Sequence, residues 1–161
     1  MESTYSRNIY YYDVEAGFNG WNASGLWHIT NNRYYSPGHS LWYGNEENKN
    51  YDTGLENSGE LISPLINLTN TRKPFLYFNS WYQTRSDDIY DKKLVLISEA
   101  NSSWIELNEV NHEQKIWIRE TIDLSGYAGK EIRIKFFFNT IDNNYNKHEG
   151  WYIDDIIIME E

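Results

Sequence analysis

Signals for short β-strands recur along this 161-residue chain and are separated by clusters of Gly, Asn, Asp and Ser. Strands at this spacing are typical of antiparallel sandwiches and barrels. No segment shows the apolar period of a helix of useful length. The predicted strands cover residues 8–15, 26–30, 40–43, 60–68, 75–82, 93–98, 104–107, 115–124, 131–138 and 151–159. About ten strands of this kind predict an all-β fold, an antiparallel two-sheet sandwich.

Residues 131–138 show how such a strand contributes to a core. Ile132 and Ile134 alternate with Arg133 and Lys135, and two Phe continue the apolar series. Because successive side chains of a strand point to opposite faces, one face of this strand is expected in the core and the other in water.

The polar segments 45–57 and 142–148 are rich in Asn and Glu and predict long loops between strands. Neither is long enough to divide the chain, so residues 1–161 are expected to form one domain. A chain of this length can bury a core without disulfide bonds. We expect it to be a fragment of a larger extracellular protein.

Composition limits the classes of partner. With 24 acidic and 14 basic residues the formal charge is −10, which repels nucleic acid and favours divalent cations. Without cysteine, disulfides and thiol chemistry are excluded. There is no apolar run long enough to span a membrane, so membrane insertion is not expected.

Two adjacent carboxylates, Asp154 and Asp155, interrupt the apolar final strand. Burying an ionised carboxylate costs several kcal/mol unless it is paired or bound to a metal. If Ile156 and Ile158 point inward, a strict two-residue period places Asp154 on the same face and Asp155 on the opposite one. Both faces are apolar, so the choice between the two aspartates stays open.

Calcium is the cation that such acids suggest, since it takes six to eight oxygen ligands drawn from separate strands. The candidate ligands are Glu15 with Asp154 or Asp155, and Asp142 with Glu149 on the loop before the last strand. The alternative is that these acids are solvated, or that Asp154 accepts hydrogen bonds from backbone and Arg groups.

Catalytic chemistry has little support. The residues His28, His39, His112 and His148 are scattered without the spacing of a zinc site. Ser40 follows His39 directly, but Gly-His-Ser is not a nucleophile elbow. The chain is therefore expected not to be an enzyme.

Aromatic residues form 17% of the chain, which suggests a surface that stacks on sugar or grips polypeptide. The candidate ligand-binding residues are Trp42, Tyr43, Tyr90 and Asp91. The alternative is that the tryptophans simply fill the core, and it concerns Trp27, Trp42, Trp81 and Trp151.

Several motifs, read in order, span about residues 11–158. They are Asp-Val-Glu at 13–15 and Gly-Trp at 20–21, Leu-Trp-His at 26–28, Gly-His-Ser-Leu-Trp-Tyr-Gly at 38–44, Leu-Ile-Ser-Pro at 61–64, Tyr-Asp at 90–91, Leu-Ser-Gly-Tyr-Ala-Gly at 124–129 and Gly-Trp-Tyr-Ile-Asp-Asp-Ile at 150–156. This pattern resembles the jelly-roll, MAM-like accessory domains of secreted peptidases, such as the immune-inhibitor-A metallopeptidases and pyrolysin-like subtilases.

The resemblance implies a jelly-roll sandwich whose first and last strands are neighbours, and which often holds a structural calcium ion. It implies a secreted or cell-surface accessory module that stabilises its host protein or engages the host's substrate, and no catalysis. A carbohydrate-binding or adhesion module is the alternative, and the expected partners are host domains and a glycan or polypeptide. Related domains often carry Glu shortly before the Tyr-Asp pair, whereas residues 84–91 here have none.

Overall fold

The computed structural model describes residues 7–87 and 89–161, so residues 1–6 and Asp88 of the expected 1–161 unit lie outside the description. The described strands are β1 (Arg7–Tyr12), β2 (Asn22–Ala23), β3 (Trp27–Thr30), β4 (Ser40–Tyr43), β5 (Ser58–Ile62), β6 (Ile66–Asn67), β7 (Pro74–Gln83), β8 (Lys92–Glu99), β9 (Ile105–Glu109), β10 (Ile118–Asp123), β11 (Glu131–Asn139) and β12 (Gly150–Glu160). One short 3₁₀ turn, Ser125–Tyr127, lies between β10 and β11.

These strands form two antiparallel six-stranded sheets. In the front sheet the order is β10-β7-β12-β4-β3, and β1 also pairs with β12. In the back sheet it is β2-β5-β11-β8-β9, and β6 also pairs with β11. The predicted all-β, two-sheet sandwich is confirmed, and so is the neighbourhood of the first and last strands.

Most predicted strands lie within two residues of those observed, although β1 ends three residues before its predicted end and β10 begins three residues after its predicted start. Two further differences concern the number of strands. The predicted strand 60–68 is two strands, β5 and β6, because Ser63-Pro64 lies between them and Pro cannot donate a ladder hydrogen bond. The two-residue strand β2 was not predicted, since it carries no periodic pattern of its own.

The core lies between the two sheets. On β11, Ile132, Ile134, Phe136 and Phe138 are all buried in it, as the alternation predicted. The opposite face of β11 is less exposed than expected, because Lys135 is buried and its ammonium contacts Glu60 at 3.0 Å. Its aliphatic stem thus covers apolar surface while the charge is paired.

One end of the sandwich, which we call the loop end, carries the connections that follow β4, β7, β9 and β11. These are residues 44–57, 84–91, 110–117 and 140–149. At this end Gly150 begins β12 with a φ of 106°, and a Cβ there would collide with the carbonyl oxygen of Tyr43. Within the described residues, no helix is long and apolar enough to cross a membrane.

Candidate functional site

A β-bulge in β12 decides the direction of both aspartates. The register with β7 is regular up to Asp154, shifts, and resumes at Ile157, and Asp155 has a φ of 50°. Ile153 and Ile156 both point into the core on either side of this bulge. The inserted residue therefore puts both Asp154 and Asp155 on the outer face of the front sheet.

The strict two-residue period considered for β12 accordingly does not hold across the bulge. Under that period Asp154 would share a face with Ile156 and Ile158, and Asp155 would share the opposite face with Trp151 and Ile153. In the structure Trp151, Ile153, Ile156 and Ile158 all belong to the core cluster. The bulge lies where β12 changes its partner strand. Pairing of β12 with β4 ends at Ile153, and pairing of β12 with β1 begins at Ile156.

The segment between β3 and β4, residues 31–39, crosses this outer face, and we call it the latch. Oδ2 of Asp154 accepts hydrogen bonds from the amides of Tyr35 (2.9 Å) and Ser36 (3.0 Å). Asp155 Oδ1 accepts one from the Ser36 hydroxyl at 2.8 Å. Glu15 accepts hydrogen bonds from the amides of Gly38 and His39 at 3.0 and 2.8 Å.

Arg33 fixes the other half of the latch. Its guanidinium binds both oxygens of Glu149, at 2.7 and 3.2 Å, and stacks 3.9 Å from the centre of the Trp81 ring. The side-chain NH₂ of Asn32 donates a hydrogen bond to the Tyr152 hydroxyl at 2.7 Å. The Tyr152 ring in turn stacks on Trp42 with their centroids 5.0 Å apart.

Four of the five predicted calcium ligands thus accept hydrogen bonds from the latch: Glu15, Asp154, Asp155 and Glu149. Asp154 also accepts one from the Asp155 amide at 2.9 Å, and Asp155 accepts one from the Asn79 side chain at 3.3 Å. The fifth, Asp142, pairs with Arg85 at 3.2 Å. Among the described residues, no three His, Cys, Asp or Glu side chains are grouped so that they could hold a metal ion. Calcium binding stays a prediction.

The buried and the exposed carboxylate that accept hydrogen bonds from the latch differ in the direction of their pKa shifts. Burial, helped by the neighbouring charge of Asp155, raises the pKa of Asp154 to about 7, against the opposing effect of the amide hydrogen bonds. The amide of Gly38 and the contacts with His39 lower the pKa of Glu15. The buried acid is therefore destabilised as an anion, whereas the exposed acid is stabilised.

The aromatic residues that were predicted to bind a ligand are mostly internal. Trp42 and Tyr43 are both 0% exposed and offer no surface to a ligand. All four tryptophans of the alternative reading, Trp27, Trp42, Trp81 and Trp151, are buried, but two of them lie outside the core between the sheets. Trp27 and Trp151 lie between the sheets, whereas Trp42 and Trp81 pack with Tyr152 on the outer face of the front sheet.

Asp91 and Tyr90 lie at the loop end. Asp91 is buried and accepts hydrogen bonds through Oδ2 from the Tyr51 hydroxyl (2.6 Å) and the Arg85 amide (3.0 Å), and burial raises its pKa. Tyr90 contacts the Arg85 guanidinium, which lies 3.8 Å from its ring centre. These two predicted residues therefore shape the 84–91 loop.

An open cavity of about 450 Å³ lies beside this loop, and we call it the loop-end pocket. Three of the loop-end connections line it, together with the last residue of β7. Among the residues that the structure describes, the lining consists of Gln83, Thr84, Arg85, Ser86, Asp87, Gln114, Lys115, Tyr145 and His148. Its volume lies in the range of about 300–1,000 Å³ that holds small organic ligands.

Arg85 is the central side chain of this pocket. Its guanidinium lies between the rings of Tyr90 and Tyr145, at 3.8 and 4.8 Å from their centres, and pairs with Asp142. Tyr145 itself is 72% exposed. A large aromatic ring is thereby held in position while most of its surface faces solvent.

No pattern in the sequence marked the residues that give both regions their character. These residues are Arg33, Gln83, Arg85, Gln114 and Tyr145. Each is a lone polar or aromatic side chain in a loop or at a strand end, so no periodic pattern marks it. The sequence does carry a signal for the bulge, because two charged residues, Asp154 and Asp155, separate Ile153 from Ile156 in an otherwise apolar strand.

No protein-family model matches this sequence. Bacillopeptidase F of Bacillus subtilis (strain 168) is 30% identical over 159 residues, which cover 94% of this chain and 11% of that protein. The chain thus spans about a tenth of the length of this curated relative.

Solved structures share the fold at low sequence identity. A TmCBM61 structure in complex with β-1,4-galactotriose has a TM-score of 0.63 at 16% identity, covering 96% of this chain and 99% of that one. The CBM22-1 xylan-binding domain of Paenibacillus barcinonensis Xyn10C has a TM-score of 0.56 at 11% identity, covering 98% and 96%. At such identities the likeness defines the class of fold, a two-sheet β-sandwich.

Proposed function

We propose that this chain is a non-catalytic β-sandwich accessory module of a larger extracellular protein of the peptidase type. The observation that carries the proposal is the 30% identity to Bacillopeptidase F over 94% of this chain. Because the match takes up only 11% of that protein, the chain corresponds to one part of it. In this proposal residues 1–161 fold as one unit that stabilises the host or engages its substrate.

The histidine contacts support a non-catalytic role. His112 Nε2 lies 3.0 Å from the Ser80 hydroxyl, the spacing of a nucleophile and its base. Ser80 is 0% exposed, and its hydroxyl also accepts a hydrogen bond from the Trp151 indole at 3.0 Å. A serine enclosed in this way offers no attacking oxygen to a substrate, so the pair is structural.

A domain exchange tests the accessory role. The matching segment of Bacillopeptidase F is deleted in one variant and replaced by this chain in another, and both are secreted beside the parent protein. We expect the deletion to lower thermal half-life or cleavage of a protein substrate, with less effect on a short peptide substrate, and the exchange to restore it. Equal behaviour of deletion and parent would refute the accessory role.

Glycan binding is the second candidate function, and the loop-end pocket is the observation that favours it. The exposed ring of Tyr145 stands beside amide and charged side chains, the combination that stacks on a sugar ring and binds its hydroxyls. The carbohydrate-binding modules with the same fold support this candidate. A glycan array with the wild-type chain and Tyr145→Ala tests it, and absence of binding to any glycan would exclude it.

Calcium stabilisation is a further part of the proposal and rests on the acidic residues and the resemblance described above. The carboxylates of Glu15 and Asp154 currently accept amide hydrogen bonds, so an ion at that place would have to replace some of these donors. Unfolding temperatures with calcium and with a chelator decide the matter. A tight site gives about 4 kcal/mol of stabilisation at a thousandfold excess over Kd, and identical temperatures would exclude it.

A further inference from the structure

The loop-end pocket has hydrogen-bond donors whose direction is fixed by the backbone. The amide of Thr84 donates to the Gln114 side-chain oxygen at 3.0 Å, and the amide of Glu149 donates to that of Gln83 at 3.1 Å. A backbone N–H can only donate, so both side-chain oxygens must face it. The NH₂ groups of Gln83 and Gln114 are therefore left as donors for a ligand.

The cations of the pocket add to this donor set. The Arg85 guanidinium is held by Asp142 on one side and by two tyrosine rings. Lys115 is exposed, and no carboxylate among the described residues pairs with its ammonium. Among the described residues, Asp142 and Asp87 balance the charges of Arg85 and Lys115, so this surface is locally near neutral in a chain of net charge −10.

Carboxylates are scarce in the same lining. Asp87 contributes the carboxylate among the described lining residues, and its Oδ1 already accepts a hydrogen bond from the Ile89 amide at 2.8 Å, whereas the other side-chain acceptors are the Thr84, Ser86 and Tyr145 hydroxyls and the His148 ring. A uronate differs from the corresponding neutral sugar in having a carboxylate where the neutral sugar has its primary hydroxyl. That carboxylate only accepts, which matches the NH₂ groups of Gln83 and Gln114 and the ammonium of Lys115.

We propose that the loop-end pocket binds an acidic glycan, with a uronate carboxylate facing Gln83, Gln114 and Lys115 and a sugar ring on Tyr145. This inference rests on the glycan-binding candidate and adds the class of sugar. A glycan is favoured over an acidic peptide because Tyr145 presents a large exposed ring beside the donors, which a pyranose ring covers and an Asp or Glu side chain does not.

Gln114→Glu is the sharpest variant for testing this inference. The substituted side chain keeps an oxygen for the Thr84 amide and replaces the NH₂ donor by an anionic oxygen, at nearly unchanged shape. Asn101→Asp is the matched control, since it adds the same charge at an exposed position in the β8–β9 connection. Unfolding temperatures of both variants verify that the fold is retained.

The titration uses a galacturonic acid oligosaccharide and a neutral galactose oligosaccharide of equal length, by calorimetry. We expect the wild type to bind the acidic ligand about tenfold more tightly than the neutral one, and Gln114→Glu to lose about tenfold of that affinity. Asn101→Asp should bind like the wild type. Gln83→Glu should repeat the loss if Gln114→Glu proves unstable.

The outcomes separate the two levels of the hypothesis. Equal or tighter binding of the neutral oligosaccharide would overturn the acidic preference and leave glycan binding standing. An equal loss in Asn101→Asp would reduce the effect to net charge and overturn the site. Binding of neither oligosaccharide would remove the acidic glycan, and the glycan array then decides the broader candidate. Equal binding of a glutamate oligopeptide would replace the glycan by a peptide ligand.

Discussion

The latch and the loop-end pocket are built from the same kinds of side chain, with opposite results. Each contains an arginine stacked on an aromatic ring and paired with a carboxylate, Arg33 with Glu149 and Arg85 with Asp142. Around Arg33, the latch backbone covers the sheet and its amides meet carboxylates. Around Arg85, the loops leave an open cavity, and the side-chain NH₂ groups of Gln83 and Gln114 remain available as donors to a ligand in it. Stacked Arg–acid pairs therefore do not by themselves mark a binding site, and the proposal for the pocket rests instead on its oriented side-chain donors.

The largest effect on stability is expected from removing Asp154, the buried acid that binds the latch. Asp154→Ala leaves the amides of Tyr35 and Ser36 without their acceptor in a part-buried place, and we expect a loss of about 3 kcal/mol in unfolding free energy. Glu15→Ala is the matched control. Because this carboxylate is exposed, water can replace it as the acceptor of the amide hydrogen bonds, and the loss in unfolding free energy should be less than about 1 kcal/mol. Urea denaturation of both variants measures the difference, and equal losses would contradict the distinction.

The pH dependence of stability should follow from Asp154 as well. Its pKa is about 7 in the folded protein and near 3.8 when unperturbed, so the folded state binds more protons between these values. Unfolding free energy should therefore fall as pH rises from about 4 to about 7, by up to about 1.4 kcal/mol per pH unit. Denaturation in chelator at several pH values checks this. In Asp154→Asn the slope should shrink, and parallel curves would refute the assignment.

Arg33 should make a smaller contribution. Arg33→Ala removes the stacking on Trp81 and the paired hydrogen bonds to Glu149, and we expect a loss of about 1–2 kcal/mol, moderated by the partial exposure of the pair. Arg33→Lys keeps the charge but not the planar fork, so its loss should lie in between. Thermal unfolding of the three proteins tests the order. A lysine variant as unstable as the alanine variant would assign the effect to geometry alone.

The smallest effect on stability is expected at the pocket. Tyr145→Ala removes a ring that is 72% exposed, so the unfolding free energy should change by less than about 0.5 kcal/mol. Glycan affinity should nevertheless fall, because the stacking surface is lost. Tyr35→Ala, on the latch, serves as the control and should leave glycan affinity unchanged. A large loss of stability in Tyr145→Ala would show that the loop end depends on this ring.

Local patterns in the sequence were enough to predict the sandwich. The alternation on β11 predicted its buried face. The candidate acids were also identified by residue type. Their surroundings could not be, because Asp154 and Asp155 change face through a bulge whose hydrogen bonds depend on β4, β1 and β7 together.

The sequence by itself determined the class of fold and the net charge, since strand periodicity and ionisable groups are properties of neighbouring residues. Only the tertiary structure decided which acids are paired with which donors, and that Trp42 is internal whereas Tyr145 is exposed. Partners such as Glu15 and His39, or Gln114 and Thr84, lie 24 and 30 residues apart in the chain. Contacts over such separations are set by how the sheets and loops pack, so no local pattern in the sequence encodes them.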